Sequence, residues 1–209
     1  MPNYRTISAG SEANYEIQKS RFITHTAHVE NEAAAQDFIR SMKKKYFDAR
    51  HNCSAWVLGP QSSLQKSNDD GEPGGTAGNP ILEAIKKNQL TDTAIVVTRY
   101  FGGIKLGAGS LIRAYGHAAV LGIEASAIVQ ATCFNRTAVT LDYTLLGSVE
   151  NLLRQKEIRI EDKIYADNVK LILLLAPETT TSFLTELTNL TAGQAGIEML
   201  DEVYVSIAL

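Results

Sequence analysis

The stretch Thr93–Gly116, TAIVVTRYFGGIKLGAGSLIRAYG, decides how this chain is read. Thr93–Tyr100 is apolar and β-branched, which predicts a strand. Phe101–Gly109 carries Gly102, Gly103, Gly107 and Gly109, the composition of a turn. From Ser110 to Leu121, the residues Leu111, Ile112, Tyr115, Ala118 and Ala119 fall on one helical stripe, with Gly122 suited to end it. Strand, glycine turn and helix therefore follow one another. Arg99 and Lys105 supply positive charge, the glycines allow close backbone approach, and a helix start adds the positive end of its dipole. Arg99, Gly102, Gly103, Lys105, Gly107 and Arg113 are thus candidate ligands for a phosphate or a nucleic-acid backbone. The spacing fits neither a Walker A loop, since no GKS or GKT follows, nor a dinucleotide fingerprint. A tight turn that packs helix against sheet accounts for the same glycines, and both readings stand.

Upstream, Ala13–Val29 reads as a hairpin or bent strand. Asn31 can cap a helix whose apolar residues Ala34, Phe38, Met42 and Tyr46 recur every fourth position. Lys43, Lys44 and Lys45 close it, where positive charge suits the dipole. Cys53–Leu58 reads as a strand, Gly59–Gly78 as a polar glycine-bearing connection, and Asn79-Pro80 as the cap and first residue of a short helix through Lys87.

Two further segments carry chemistry. In Arg50–Trp56, His51 and Cys53 lie two apart on a strand and point the same way, which raises a nucleophile reading. A reactive thiol needs exposure and a lowered pKa, and a core position for Cys53 is the simpler account. In Asn68–Gly78, Asp69, Asp70 and Glu72 offer hard oxygen ligands for a divalent cation. The calcium-loop spacing is absent, because Pro80 holds the twelfth position from Asp69. A solvated acidic loop is the competing account. His51, Asp69, Asp70 and Glu72 are therefore the candidate catalytic residues, and Asp69, Asp70 and Glu72 the candidate metal ligands. No cofactor is called for beyond such a cation.

Downstream the pattern is more regular. Thr132–Leu141, Ile158–Tyr165, Val169–Leu175 and an alternation at Val203, Val205, Ile207 and Leu209 read as strands. Leu145–Leu153 and Phe183–Leu190 read as helices. The order β-α-β-β-α-β is the split βαβ, ferredoxin-like plan. Ser126–Ala131 is read as the linker.

The 209 residues carry a formal charge of −3, but unevenly. Residues 1–136 hold 15 Lys/Arg and 12 Asp/Glu, whereas residues 137–209 hold 5 and 11. The first part can therefore face an anionic partner despite the acidic total. Hydrophobic residues at 44% exclude disorder along the whole chain. Cys53 and Cys133, with no CxxC, read as reduced thiols near the core. The start MPNYRTISAG has no signal-peptide core, and the longest apolar run is too short to cross a bilayer. A cytoplasmic location without a membrane partner is expected. No feature of the sequence marks an oligomeric state.

RHNCSAW, NDDGEPGGTAGNPIL and IVVTRYFGGIKLGAGSLIRAYG resemble the IMPACT family, including its bacterial YigZ-type members. The resemblance covers essentially the whole chain. It implies an α+β protein with a ribosomal protein S5 domain 2-like domain over about 1–130. It implies a ferredoxin-like domain over 135–209, resembling the last domain of elongation factor G. The family's marked positions correspond to His51, Asn52, Asp69, Asp70, Gly71, Glu72, Pro73, Gly75, Thr76, Gly78, Arg99, Phe101, Gly102, Gly103, Lys105, Leu106 and Gly107. Eukaryotic relatives regulate translation through partners of a stress-kinase pathway and carry an extra amino-terminal domain, for which this sequence has no room. The resemblance implies a translation-related protein that binds RNA or the ribosome. A metal-dependent hydrolase or phosphoryl-transfer enzyme using residues 69–72, and a protein-interaction module without nucleic acid, are the alternatives, so the sequence assigns no enzymatic activity.

Overall fold

The computed structural model describes residues 2–208. The chain divides into two units, 1–131 with 206–209, and 132–205. In the first, a five-stranded antiparallel sheet runs β2-β3-β6-β4-β5. Its strands are β2 (Glu12–Ile17), β3 (Ser20–His28), β4 (His51–Leu58), β5 (Leu64–Asn68) and β6 (Thr93–Tyr100). An opening strand, β1 (Tyr4–Ala9), pairs with the start of β7 (Ala127–Leu141).

Strand β6 lies at the centre of the sheet and is buried along almost its whole length, which explains its unbroken apolar and β-branched run. Helices α2 (Gly78–Lys87) and α3 (Ala108–Glu124) pack on one face through Ile81, Ile85, Leu111, Tyr115 and Ile123, against Phe22, Cys53, Ile95 and Val97. Helix α1 (Glu32–Lys45) covers part of the other face, where Ala35, Phe38 and Ile39 meet Val29, Trp56 and Ala94. Asn31 caps α1, its side chain accepting from the Ala34 N–H at 2.9 Å.

The second unit contains the remainder of β7, then α4 (Tyr143–Gln155), β8 (Arg159–Tyr165), β9 (Val169–Leu175), α5 (Thr180–Leu190) and most of β10 (Gly196–Ala208). Strand β9 lies between β7 and β8, and β10 pairs with β7. Val139, Leu171 and Leu173 pack against Val149, Leu153, Phe183 and Leu187 of the two helices. Leu209, read as the last position of the final strand, lies outside the described residues.

Four sequence expectations are corrected. Ser126–Ala131 is not an irregular linker, because β7 starts at Ala127 and runs on through Ala131, where the boundary between the two units falls. The connection Gly59–Gly78 contains an exposed edge strand, β5, whose polar residues conceal it because they border one neighbour only. Asn79 does not cap α2. The Asp69 carboxylate does so from outside, accepting from the Ala77 and Gly78 N–H groups. Gly122 does not end α3. A Cβ there would stand 2.4 Å from Thr24 Cγ2, so the glycine lets the helix lie close on the sheet. Among the described residues, no helix is long and apolar enough to cross a membrane.

Candidate functional site

The three motifs meet where β4 begins, β6 ends and the acidic loop turns. Arg99 is the penultimate residue of β6 and His51 the first of β4, and the two are register partners. Arg99 is buried. Its Nη1 donates to Glu72 Oε1 at 2.7 Å, and the Tyr115 hydroxyl donates to the same oxygen at 2.8 Å. Arg99 Nη2 reaches Ser20 Oγ at 3.4 Å, and the Gly102 N–H donates to that hydroxyl oxygen at 3.3 Å. The guanidinium carbon sits 5.7 Å from the centre of the Phe22 ring and 5.6 Å from that of Phe101. These are cation–π distances. Phe22 is buried, whereas Phe101 is 50% exposed.

A cavity of about 280 Å3 opens at this place, lined by Arg50, His51, Glu72, Arg99, Phe101 and Lys105 among others. Arg50 and Lys105 are exposed, so the rim is cationic while the floor is an ion pair neutral in sum. His51 Nδ1 lies 2.9 Å from the Asp70 carbonyl oxygen. A carbonyl only accepts, so Nδ1 carries the proton and Nε2 of the neutral ring is an acceptor.

The acidic residues are structural in this arrangement. Asp69 Oδ2 accepts from the Gly75 N–H, and Oδ1 from those of Ala77 and Gly78. Asp70 accepts from the Asn52 N–H at 2.7 Å and pairs with Lys43. Glu72 holds Arg99. The candidate metal site is corrected accordingly: each carboxylate serves a different partner, and no His, Cys, Asp or Glu cluster suited to a metal ion occurs among the described residues. Burial alone would raise the Asp69 carboxyl, but three backbone donors together outweigh it and hold its pKa below the ordinary 3.8. A depressed value adds stability that is complete above the unfolded-state pKa and is lost as pH falls through the folded one. Urea unfolding followed from pH 6 down to pH 2 is therefore expected to show wild-type stability falling below about pH 4. Asp69→Asn is expected to start lower and to lose less over that range. Parallel curves would count against this role.

The nucleophile reading is corrected as well. The Cys53 thiol is buried, 2.9 Å from the Asp69 carbonyl oxygen and 3.4 Å from the Tyr115 hydroxyl. Burial, with three acids nearby, pushes its pKa up to about 12, so no thiolate forms at neutral pH. Burial also raises the Tyr115 phenol, which stays a hydrogen-bond donor.

Of the six anion candidates, only Arg99 and Lys105 line the cavity. Arg99 is paired with Glu72 through Nη1, while its Nε is buried with no hydrogen-bond partner among the described residues. The Gly102 amide is taken by Ser20, and Gly107 accepts from Ser110 and Leu111 as the cap of α3. Gly103 turns the chain with φ at +87°. Arg113 is exposed on α3, 3.2 Å from Ser110 Oγ, outside the cavity lining. Ser20 and Tyr115 escaped notice as site residues. A phenol inside an apolar helical stripe, needing a partner once buried, was the available signal for Tyr115.

Residues 18–123 match the model of the Impact N-terminal domain. The chain belongs to the IMPACT family. Residues 139–194 match a domain of unknown function, DUF1949. The IMPACT family member YvyE of Bacillus subtilis is 43% identical over 207 residues, covering 99% of this chain and 95% of that protein. YigZ of Escherichia coli is 38% identical, covering 90% and 93%. The Protein IMPACT homolog of Saccharomyces cerevisiae aligns with only 42% of this chain, at 34% identity. A solved structure described as that of a hypothetical protein superposes with a TM-score of 0.64 at 32% identity, covering 96% of this IMPACT chain and 98% of its own. All three chemistry-bearing motifs of this IMPACT chain lie inside the matched amino-terminal domain.

Proposed function

We propose that this IMPACT chain is a translation-associated accessory protein whose first unit binds single-stranded RNA, free or on the ribosome. The observation that carries the reading is the half-exposed Phe101 ring, held from below by the buried Arg99 guanidinium beside a cationic rim. An aromatic ring with one face fixed and the other open is a platform for a base, and stacking of this kind is worth about 1–3 kcal/mol per base. Arg50 and Lys105 flank it for the phosphates, and His51 Nε2 can accept from a ribose 2′-hydroxyl. We further infer that the first unit is ribosomal protein S5 domain 2-like and the second ferredoxin-like. The strand orders given above support this assignment.

The test is fluorescence anisotropy with a labelled oligoribonucleotide across a salt series. Binding is expected to weaken linearly in log–log form with salt. Lys105→Glu and Arg50→Glu should each flatten that slope. Phe101→Ala should cost roughly tenfold or more in affinity without changing the slope. Absence of binding at low salt, or indifference to all three substitutions, overturns the reading.

A further inference from the structure

A second cavity, of about 330 Å3, opens on the other face of the same sheet. Helix α1 contributes Gln36, Ile39, Arg40 and Lys43, whose spacing of three and four places them on one helical face. Strand β4 contributes Ser54 and Trp56, two apart and so on one face. Their register partners on β5 are Asn68 and Lys66, which also line the cavity. The cup is therefore set by strand register and helix period together. Among its lining residues are three cations, Arg40, Lys43 and Lys66, and no carboxylate. Their partners Asp37, Asp70 and Glu32 lie outside the lining, and the Arg40 and Lys66 pairs are exposed and weak. Ser54, which lines the cup, is only 3% exposed.

We propose that this cup binds a small organic phosphate of mononucleotide size or less. The phosphate meets Arg40, Lys43 and Lys66, the Ser54 hydroxyl and the Asn68 amide answer its oxygens, and the body of the ligand lies against Ile39 and Trp56. The volume is at the lower end for small-molecule sites, which sets the size limit.

Trp56 is the only tryptophan of the chain, so intrinsic fluorescence reports on this cup directly. Titration of the full chain with adenosine 5′-monophosphate should give a saturable change in emission, and adenosine should give none. The double variant R40E/K66E, at two exposed positions, should weaken the response roughly tenfold or more. Lys105→Glu, on the other face, should leave it unchanged. Inorganic phosphate and a ribo-pentamer with or without a 5′-phosphate separate the sources. A response to the free compounds alone assigns a metabolite, and a response to the phosphorylated pentamer assigns an RNA end. No saturable change at millimolar nucleotide, an equal response to adenosine, retention of full affinity in R40E/K66E, or loss of the response in Lys105→Glu would each overturn the proposal. Should R40E/K66E fail to fold, judged by circular dichroism, Lys66→Glu alone on the edge strand gives the same reading, with a smaller loss supporting the site and none overturning it.

Discussion

Glu72→Ala is expected to destabilise the first unit by about 3–5 kcal/mol, because it leaves the Arg99 guanidinium buried without its counter-charge. The Arg99 and Glu72 side chains are only 7% and 4% exposed, so water cannot readily replace the lost carboxylate. The same oxygen also takes the Tyr115 hydroxyl, which loses its acceptor in the variant. In thermal unfolding the loss should appear as a fall on the order of 10 °C in Tm. Removing both charges should be far milder than removing one. Glu72→Met combined with Arg99→Met should recover much of the stability, since an apolar pair of similar volume carries no desolvation penalty. The double variant should nevertheless lose RNA affinity, because Phe101 would no longer rest on a cation. A Glu72→Ala protein that melts within a degree or two of wild type would show that the pair does not hold the site.

Gly102→Ala should cost about 3 kcal/mol, at the severe end of overpacking. A Cβ there would stand 2.0 Å from both the carbonyl carbon and the carbonyl oxygen of Lys19, which are backbone atoms of the β2–β3 turn. The loop from Phe101 to Gly107 would have to withdraw, taking Phe101 and Lys105 from the cavity and breaking the Gly102 N–H bond to Ser20. The neighbouring glycines sort differently. Gly103→Ala meets no atom within 4 Å but must hold φ near +87°, a strain of about 1 kcal/mol. Gly107→Ala meets neither obstacle and should be nearly neutral. Chemical denaturation with RNA-binding titrations on the three variants tests the order. Equal effects at 102 and 107 would show that close approach at Lys19 is not what the first glycine provides.

These two expectations concern the same motif, and they show where reading along the chain stops. The strand Thr93–Tyr100, the turn after it and the helix beyond are legible because period and composition are local properties. So are the Asn31 cap, the burial of both cysteines and the strand-helix succession from 132 onward. The edge strand β5 was not legible, since a strand with a single neighbour needs no apolar alternation. Nor was the continuity of β7 through Ala127–Ala131, whose pairing with Tyr4–Ala9 joins residues more than a hundred apart.

For the site, the sequence by itself supplied the residues and even their grouping in three motifs, but it left their tasks open. Arg99 beside glycines reads as a phosphate ligand or as part of a turn that packs helix on sheet, and Asp69, Asp70 and Glu72 read as a metal set or a solvated acidic loop. Tertiary structure alone decides that Glu72, 27 residues before Arg99, meets it in a buried pair, while Asp69 turns to cap α2. It alone decides that α1, β4 and β5 leave a cationic cup around Ser54. The physical reason is that a charged side chain is defined by what surrounds it. Spacing along the chain fixes which way a residue points on its own strand or helix. Burial and pairing depend on elements that arrive from elsewhere.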